Sequence, residues 1–358
     1  MDSPLERLLG FSSEKIKPLR VSIKKHVLGA LARVSFRIPR RLKHSLGFEF
    51  LEVFGTRELL SNMKASKNLV GVSRHSQFIV HPSSSGRIVI TRKTRRNRLI
   101  FVYGSLSPLI WVPAVTELLR SPGWQLIIGG SDFSFPRQLD ARYPRRTAKE
   151  LHEIERIAKH NNIQAVWVEN LDESKPEYRP IPTGLVPDKY NSPLVRKLNF
   201  GDFPKPESSE VALCAQRNRP GKQYSERRVL ERLARGPWSE FTTLVLEPVS
   251  LRSFQKLLRN HRFTFCAHGG GFDPSPKAFE ALLAGSIPII KKSATSAAYE
   301  ELPVVFVDDW AESAISREVL LEEYERIVAQ RDYWERVREH LSMERWLDRF
   351  SQRYGSVS

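Results

Sequence analysis

The 358-residue chain carries 57 Lys and Arg against 40 Asp and Glu, a formal net charge of +17, with 41% hydrophobic and 27% charged residues. That balance excludes a disordered chain, and the length suits two domains of roughly 150–200 residues each. Two cysteines, Cys214 and Cys266, sit in apolar strand-like runs, which excludes a disulfide scaffold and fits a reduced compartment.

No stretch of about 18 apolar residues is present, so no transmembrane helix is expected. The first residues lack an uninterrupted apolar core of the kind a secretory signal needs, and a cytoplasmic protein is the expectation. The net charge calls for a polyanionic partner: nucleic acid, an anionic membrane face, a phosphorylated ligand or an acidic polymer.

In chain order, residues 1–47 form a basic segment with eleven Lys or Arg and four Asp or Glu up to Phe50. Ile16, Leu19, Ile23, Val27 and Leu31 recur at helical spacing while Lys17, Lys24 and Lys25 lie off that stripe. This is the pattern of a helix lying on anionic lipid, which would make the protein peripheral on the inner membrane face. Pro82 to Gly86 reads as a loop and Arg87 to Thr91 as a short strand, followed by a dense basic run at Arg92, Lys93, Arg95, Arg96 and Arg98.

Residues 48–185 read as a first α/β domain. Leu99 to Tyr103, Trp124 to Ile128 and Ala165 to Val168 are apolar strands, separated by helical patterns at Trp111 to Leu119 and Ala148 to His160. Such alternation predicts a parallel sheet covered on both faces, with ligands beyond the carboxyl ends of its strands. Asp132 and Glu169 stand at that edge. Pro176 to Pro187 reads as an extended linker.

Residues 186–358 read as a second α/β domain. Its strands are Val211 to Ala215, Thr242 to Leu246, Phe263 to Ala267, Ile287 to Ile290 and Val304 to Val307. Helices are expected at Ser225 to Arg235, Leu251 to Leu258, Ser275 to Ala284 and through Ser316 to Arg353. The fold class is therefore two tandem Rossmann-like α/β domains.

The segment from Phe265 to Ile290 carries the chemistry. Gly269, Gly270 and Gly271 follow a buried strand and let a ligand approach the backbone. Pro274 to Pro276 then opens a helix whose free N–H groups favour an anion such as pyrophosphate, with Ser275 and Lys277 on the same turn. Glu280 lies one turn further in, where a carboxylate can accept both ribose hydroxyls. Gly285 caps the helix and Pro288 lies in the next strand.

This segment resembles the donor-binding half of the exostosin-like glycosyltransferases. The matching pieces are the loop Cys266-Ala-His-Gly269, the helix run Lys277-Ala-Phe-Glu280-Ala-Leu282, Gly285 and Ile287-Pro-Ile-Ile290, then Tyr299-Glu-Glu-Leu-Pro303 and Val307-Asp-Asp-Trp310. Lys277 and Phe279 stand where the family has Arg and Trp, which keeps charge and bulk. The likeness covers Arg262 to Trp310 well, and Trp124 to Asp132 and Arg179 to Gly184 more loosely. It implies a GT-B arrangement of two facing domains, a nucleotide-sugar donor (a UDP-sugar, as the family commonly uses), no cofactor or bound metal, and transfer to a glycan or glycolipid hydroxyl.

A retaining group of the same fold carries two glutamates eight positions apart. Phe272 stands eight positions before Glu280, so inversion is the expectation. An inverting transfer needs a base, for which Asp132 is the first choice and Glu169 the second. It also needs positive charge on the leaving diphosphate, for which Arg217, Arg219, Lys222 and Arg227 are candidates. His268 would polarise the donor or leaving group. No Asp-x-Asp motif is present, and the adjacent Asp308 and Asp309 diverge in an extended chain. The rival readings are a basic nucleic-acid- or polyanion-binding protein, a catalytically inactive sugar-nucleotide-binding scaffold, and a retaining transferase.

Overall fold

The computed structural model describes residues 72–82, 87–92, 97–185, 210–217, 219–274, 276–330 and 333–352. The basic segment 1–47, the loop 83–86, the basic residues 93–96 and Ser275 lie outside the described residues, as do 186–187 at the end of the expected linker.

After a short helix α1 (Val72–His75), the first unit runs β1 (Phe78–Pro82), β2 (Ile88–Arg92), β3 (Leu99–Tyr103), α2 (Pro108–Thr116), β4 (Trp124–Gly129), α3 (Ala148–Ala158), β5 (Ile163–Val168) and β6 (Tyr178–Pro180). These strands form one six-stranded sheet in the order β2-β1-β3-β4-β5-β6. All neighbours are parallel except the β1–β2 hairpin at the edge. Every residue of β3 and β4 is buried. Strands covered on both faces have no solvent side, which explains their unbroken apolar runs. Helix α3 starts where Thr147 and Glu150 form a reciprocal capping box.

The second unit runs β7 (Glu210–Ala215), α4 (Ser225–Arg235), β8 (Thr242–Val245), α5 (Leu251–Arg259), β9 (His261–Phe265), α6 (Lys277–Ala284), β10 (Ile287–Lys291) and β11 (Val305–Val307). Its sheet has the order β11-β10-β9-β7-β8 and is parallel throughout. The chain therefore winds outward in one direction from β7 to β8 and in the other from β9 to β11. Two Rossmann-like sheets in tandem confirm the expected fold class.

One expectation is corrected. The stretch at Pro176 to Pro187 is not only linker, because Tyr178–Pro180 pairs in register with Val166, Trp167 and Val168 as the last strand of the first sheet. Prolines are tolerated there because an edge strand needs donors on one side only. The helices expected through Ser316 to Arg353 are three: α7 (Arg317–Val328), α8 (Tyr333–His340) and α9 (Met343–Ser351). Helix α9 returns to the first unit, where the Phe350 ring meets Trp167 edge-on at 5.1 Å and Gln164 donates to the Gln352 carbonyl.

Candidate functional site

A doubly wound sheet binds its ligand where the winding direction reverses, since the loops leaving the two strands there diverge and open a crevice. In the second unit that point lies between β7 and β9. The loop after β7 carries Arg217, Arg219 and Lys222, and the loop after β9 carries His268 to Asp273. Topology thus brings together the basic loop and the glycine loop that the sequence singles out separately.

The glycine loop packs tightly against the first unit. Asn170, at the end of β5, accepts from the Phe272 and Asp273 backbone N–H groups at 3.0 Å each and donates to the Ser131 carbonyl at 3.0 Å. A side chain on Gly271 would collide with Asn170, and one on Gly270 with Arg142 and Asp132. Gly271 also has φ +110°, a conformation that favours glycine. The expected open N–H groups before the helix are therefore partly engaged by a protein amide. Gln223 adds a second link, accepting from Ala141 N–H and donating to the Gly271 carbonyl.

Asp132 lies in this cleft with its side chain 29% exposed, and Arg142 holds it at 3.1 Å. The same guanidinium grips the fully buried Asp140 carboxylate at 2.6 Å and donates to the Tyr224 hydroxyl. Glu169 is placed differently. It is only 2% exposed, and its oxygens accept from Gly130 N–H and the Thr183 hydroxyl at 2.6 Å each. From the end of β5 it braces the loops after β4 and β6, so of the two candidate bases only Asp132 faces the cleft.

Around the buried Tyr224 ring gather three guanidiniums: Arg227 at 5.2 Å, Arg219 at 5.6 Å and Arg142 at 5.8 Å from its centroid. Arg227 also donates to the His268 and Arg217 carbonyls, and a side chain on Gly269 would touch it. Burial, then the nearby charges of Arg219 and Arg142, shift the Arg227 proton affinity downward. Among the described residues no carboxylate pairs with Arg219 or Arg227, while Asp132 and Asp140 compensate Arg142. The Arg217 side chain is exposed, and its backbone carbonyl is the part that meets Arg227.

Helix α6 takes Pro276 as its N-cap, so the prolines precede the helix instead of occupying its first turn. Lys277 is not the mobile surface charge expected from its position. Its ammonium turns inward and donates to the Ala215 carbonyl at the end of β7. Burial lowers its proton affinity, with Cys266, Arg227, Cys214 and Glu280 acting on it in turn. Glu280 is buried on the same helix, 8% exposed. Gly285 ends the helix in the left-handed conformation at φ +85°, as its sequence position predicts. Both cysteines are free, and burial pushes their thiols up to about 12.

His268 opens the glycine loop with its ring almost fully enclosed. Its Nδ1 lies 3.3 Å from Glu226 Oε1, and its backbone N–H donates to Glu226 Oε2. Trp310 Nε1 and Lys291 also converge on Glu226, and Lys291 bridges onward to Asp309 at 2.9 Å. Asp308 pairs instead with Lys292, so the two adjacent aspartates do diverge. Asp273 accepts twice from the buried Tyr299 hydroxyl, which occupies this carboxylate inside the second unit.

Sequence reasoning missed Arg142, Asn170, Tyr224 and Glu226. Arg142 sits in an irregular stretch with no pattern to mark it. Asn170 carried one usable signal, an asparagine directly after a buried strand. It takes φ +55°, which asparagine tolerates better than most residues. Among the described residues no group of three or more His, Cys, Asp or Glu could hold a metal ion, and no helix is long and apolar enough to cross a membrane.

No family model matches the chain. No curated protein matches it in sequence. Among solved structures the chain is similar to an α,α-trehalose-phosphate synthase (UDP-forming) from Burkholderia xenovorans, in complex with glucose-6-phosphate. The TM-score is 0.38 and the identity 13%, over 71% of this chain and 73% of that one. A likeness of that degree assigns no activity.

Proposed function

We propose that the protein is a glycosyltransferase of the GT-B arrangement that transfers a sugar from a nucleotide-sugar donor, a UDP-sugar by the exostosin-like resemblance, to a glycan or glycolipid hydroxyl. The observation that carries this reading is the cluster of Arg142, Arg219 and Arg227 around Tyr224 beside Gly269–Gly271. Arg219 and Arg227 have no carboxylate partner among the described residues. Concentrated positive charge at the reversal point of a doubly wound sheet suits a diphosphate, and the glycines let its oxygens approach the backbone.

Asp132 is the acceptor base in this reading, oriented by Arg142 across from the glycine loop. The stacked Phe133 and Tyr143 rings, 4.1 Å between centroids, provide a flat apolar wall beside it of the kind a sugar ring packs against. The guanidiniums stabilise the departing diphosphate without a metal or other cofactor, and inversion at the anomeric carbon follows from attack by a base-activated hydroxyl. Glu280 remains the proposed ribose contact. Its burial requires the nucleoside to enter against the α6 face. The basic start of the chain is proposed to bring the enzyme to an anionic membrane carrying its acceptor.

The test is a thermal-shift screen against nucleoside diphosphates and their sugars, followed by a transfer assay with the best donor. A ligand that binds only the folded state raises the melting temperature. Arg227→Ala is expected to abolish the shift from a nucleoside diphosphate while leaving the unliganded melting temperature within a few degrees of the parent. No shift from any nucleotide, combined with heparin binding that falls steeply with salt, would sink the reading in favour of a polyanion binder.

A further inference from the structure

The mechanism above leaves one buried pair unused. His268 and Glu226 form a dyad under the glycine loop, and the enclosed Nε2 of His268 has no hydrogen-bond partner among the described residues. An enclosed ring nitrogen without a partner is costly, so its persistence in an otherwise well-bonded loop needs a reason. The charged groups around the ring come from every packed element: Glu226 of α4, Lys291 of β10 with Asp309 beyond it, and Arg227 bonded to the His268 carbonyl.

We propose that Glu226 is a positioning residue that fixes the His268 ring in the Nδ1–H tautomer, so that Nε2 accepts a hydrogen bond from a hydroxyl of the donor sugar. The proposal rests on the donor-site reading above and names the contact that site makes with the sugar. Glu226 can impose this because its two oxygens are clamped from four sides. The His268 backbone N–H and Trp310 Nε1 point at Oε2, while His268 Nδ1 and Lys291 Nζ lie within 3.4 Å of Oε1. A carboxylate so held only accepts, so Nδ1 must carry the proton, and in the neutral ring Nε2 is left with a lone pair.

That lone pair selects its partner by chemistry. Diphosphate oxygens are acceptors and would be repelled by it, and the neighbouring guanidiniums already suit them. Nε2 therefore needs a hydrogen donor, and with the ribose hydroxyls assigned to Glu280 the donors left beside the diphosphate are the hydroxyls of the transferred ring. The ring also faces Phe272 edge-on at 5.9 Å, which excludes water from this side.

The decisive measurement is the tautomer of His268 by ¹⁵N NMR on the full chain with labelled histidine, assigned with His268→Gln. The Nδ1–H form is expected in the parent protein. In Glu226→Leu, which keeps bulk but removes the acceptor, the ring should move to the Nε2–H form that predominates in solution. An Nε2–H ring in the parent, or no change in the variant, overturns the proposal, and neither observation depends on turnover. If Glu226→Leu does not fold, as judged by circular dichroism, the parent spectrum decides alone.

Once a donor is found, Glu226→Leu should lower kcat at least about tenfold with the donor KM within about twofold of the parent. A donor lacking the contacted hydroxyl should erase that difference between parent and variant. Equal kcat in parent and variant would overturn the role. A protein that turns over no nucleotide sugar, yet keeps the Nδ1–H tautomer, would instead overturn the transferase reading and leave the dyad standing.

Discussion

Asp132 owes its place in the cleft to the end of β4, and its orientation to an arginine ten positions later. Arg142 is itself locked by the buried Asp140, so the proposed base is held by a side chain that is anchored in turn. Replacing the carboxylate by an amide keeps the shape and removes the proton acceptor. Asp132→Asn should therefore lower turnover by roughly 10²–10⁴-fold, with the nucleotide-induced thermal shift unchanged. Loss of nucleotide binding in that variant would mean that Asp132 belongs to the donor side instead. Glu226 offers a pH test of a different kind. Burial opposes its charge, but the hydrogen bond and charge of His268, then Lys291 and Trp310, hold it down at about 2. The unfolded value is about 4.3, so between these values the unfolded chain binds more protons than the native one. The stability that Glu226 contributes, of order 2–3 kcal/mol, is thus complete above the unfolded value and lost as pH falls through about 2. The urea midpoint of Glu226→Gln should accordingly fall less steeply between about pH 5 and pH 2 than that of the parent.

At the scale of an element, α6 carries Glu280, the proposed ribose contact. All of its residues after Lys277 are buried, with Phe279 meeting Tyr299 edge-on at 6.0 Å. Its position depends on a sharp stop, because Ser286 N–H must reach back to the Ala281 carbonyl before β10 begins. Gly285 supplies that stop in the left-handed conformation, where any Cβ crowds the following carbonyl. Gly285→Ala is expected to cost about 1–2 kcal/mol by urea denaturation. A neutral result would show that the turn relaxes without strain. The helix and its cap were legible in the sequence, since Gly285 falls directly after an apolar run of helical composition. The inward turn of Lys277 was not. A lysine in a first turn looks like a surface charge until β7 is found to end beneath it with a carbonyl to offer.

At the scale of the whole molecule, Asn170 is a buried polar link between the two units among the described residues. Its side chain is nearly fully buried and joins Ser131 of the first unit to Phe272 and Asp273 of the second. Asn170→Ala would strand two backbone N–H groups and cost about 1–3 kcal/mol, spent at the contact between the units. The expected outcome is a larger radius of gyration by small-angle scattering and a lower urea midpoint. An unchanged radius would show that Gln223 and Arg142 suffice to hold the contact.

The sequence alone determined the alternation of apolar strands and amphipathic helices, the glycine loop, the helix cap at Gly285 and the basic loop after β7. Each is set by periodicity or backbone freedom within a few residues, and local physics suffices to read it. Which distant side chains complete the site was decided only by tertiary structure. Asn170 and Phe272 are 102 positions apart, Arg142 and Tyr224 82, and Glu226 and His268 42. No local pattern encodes such pairings, because they arise only when loops and helices far apart in the chain are brought together by the sheets they leave. The glycine loop was visible from the start, and the fold then gave it neighbours: an amide that occupies two of its N–H groups, three guanidiniums at its flank and a carboxylate beneath its histidine.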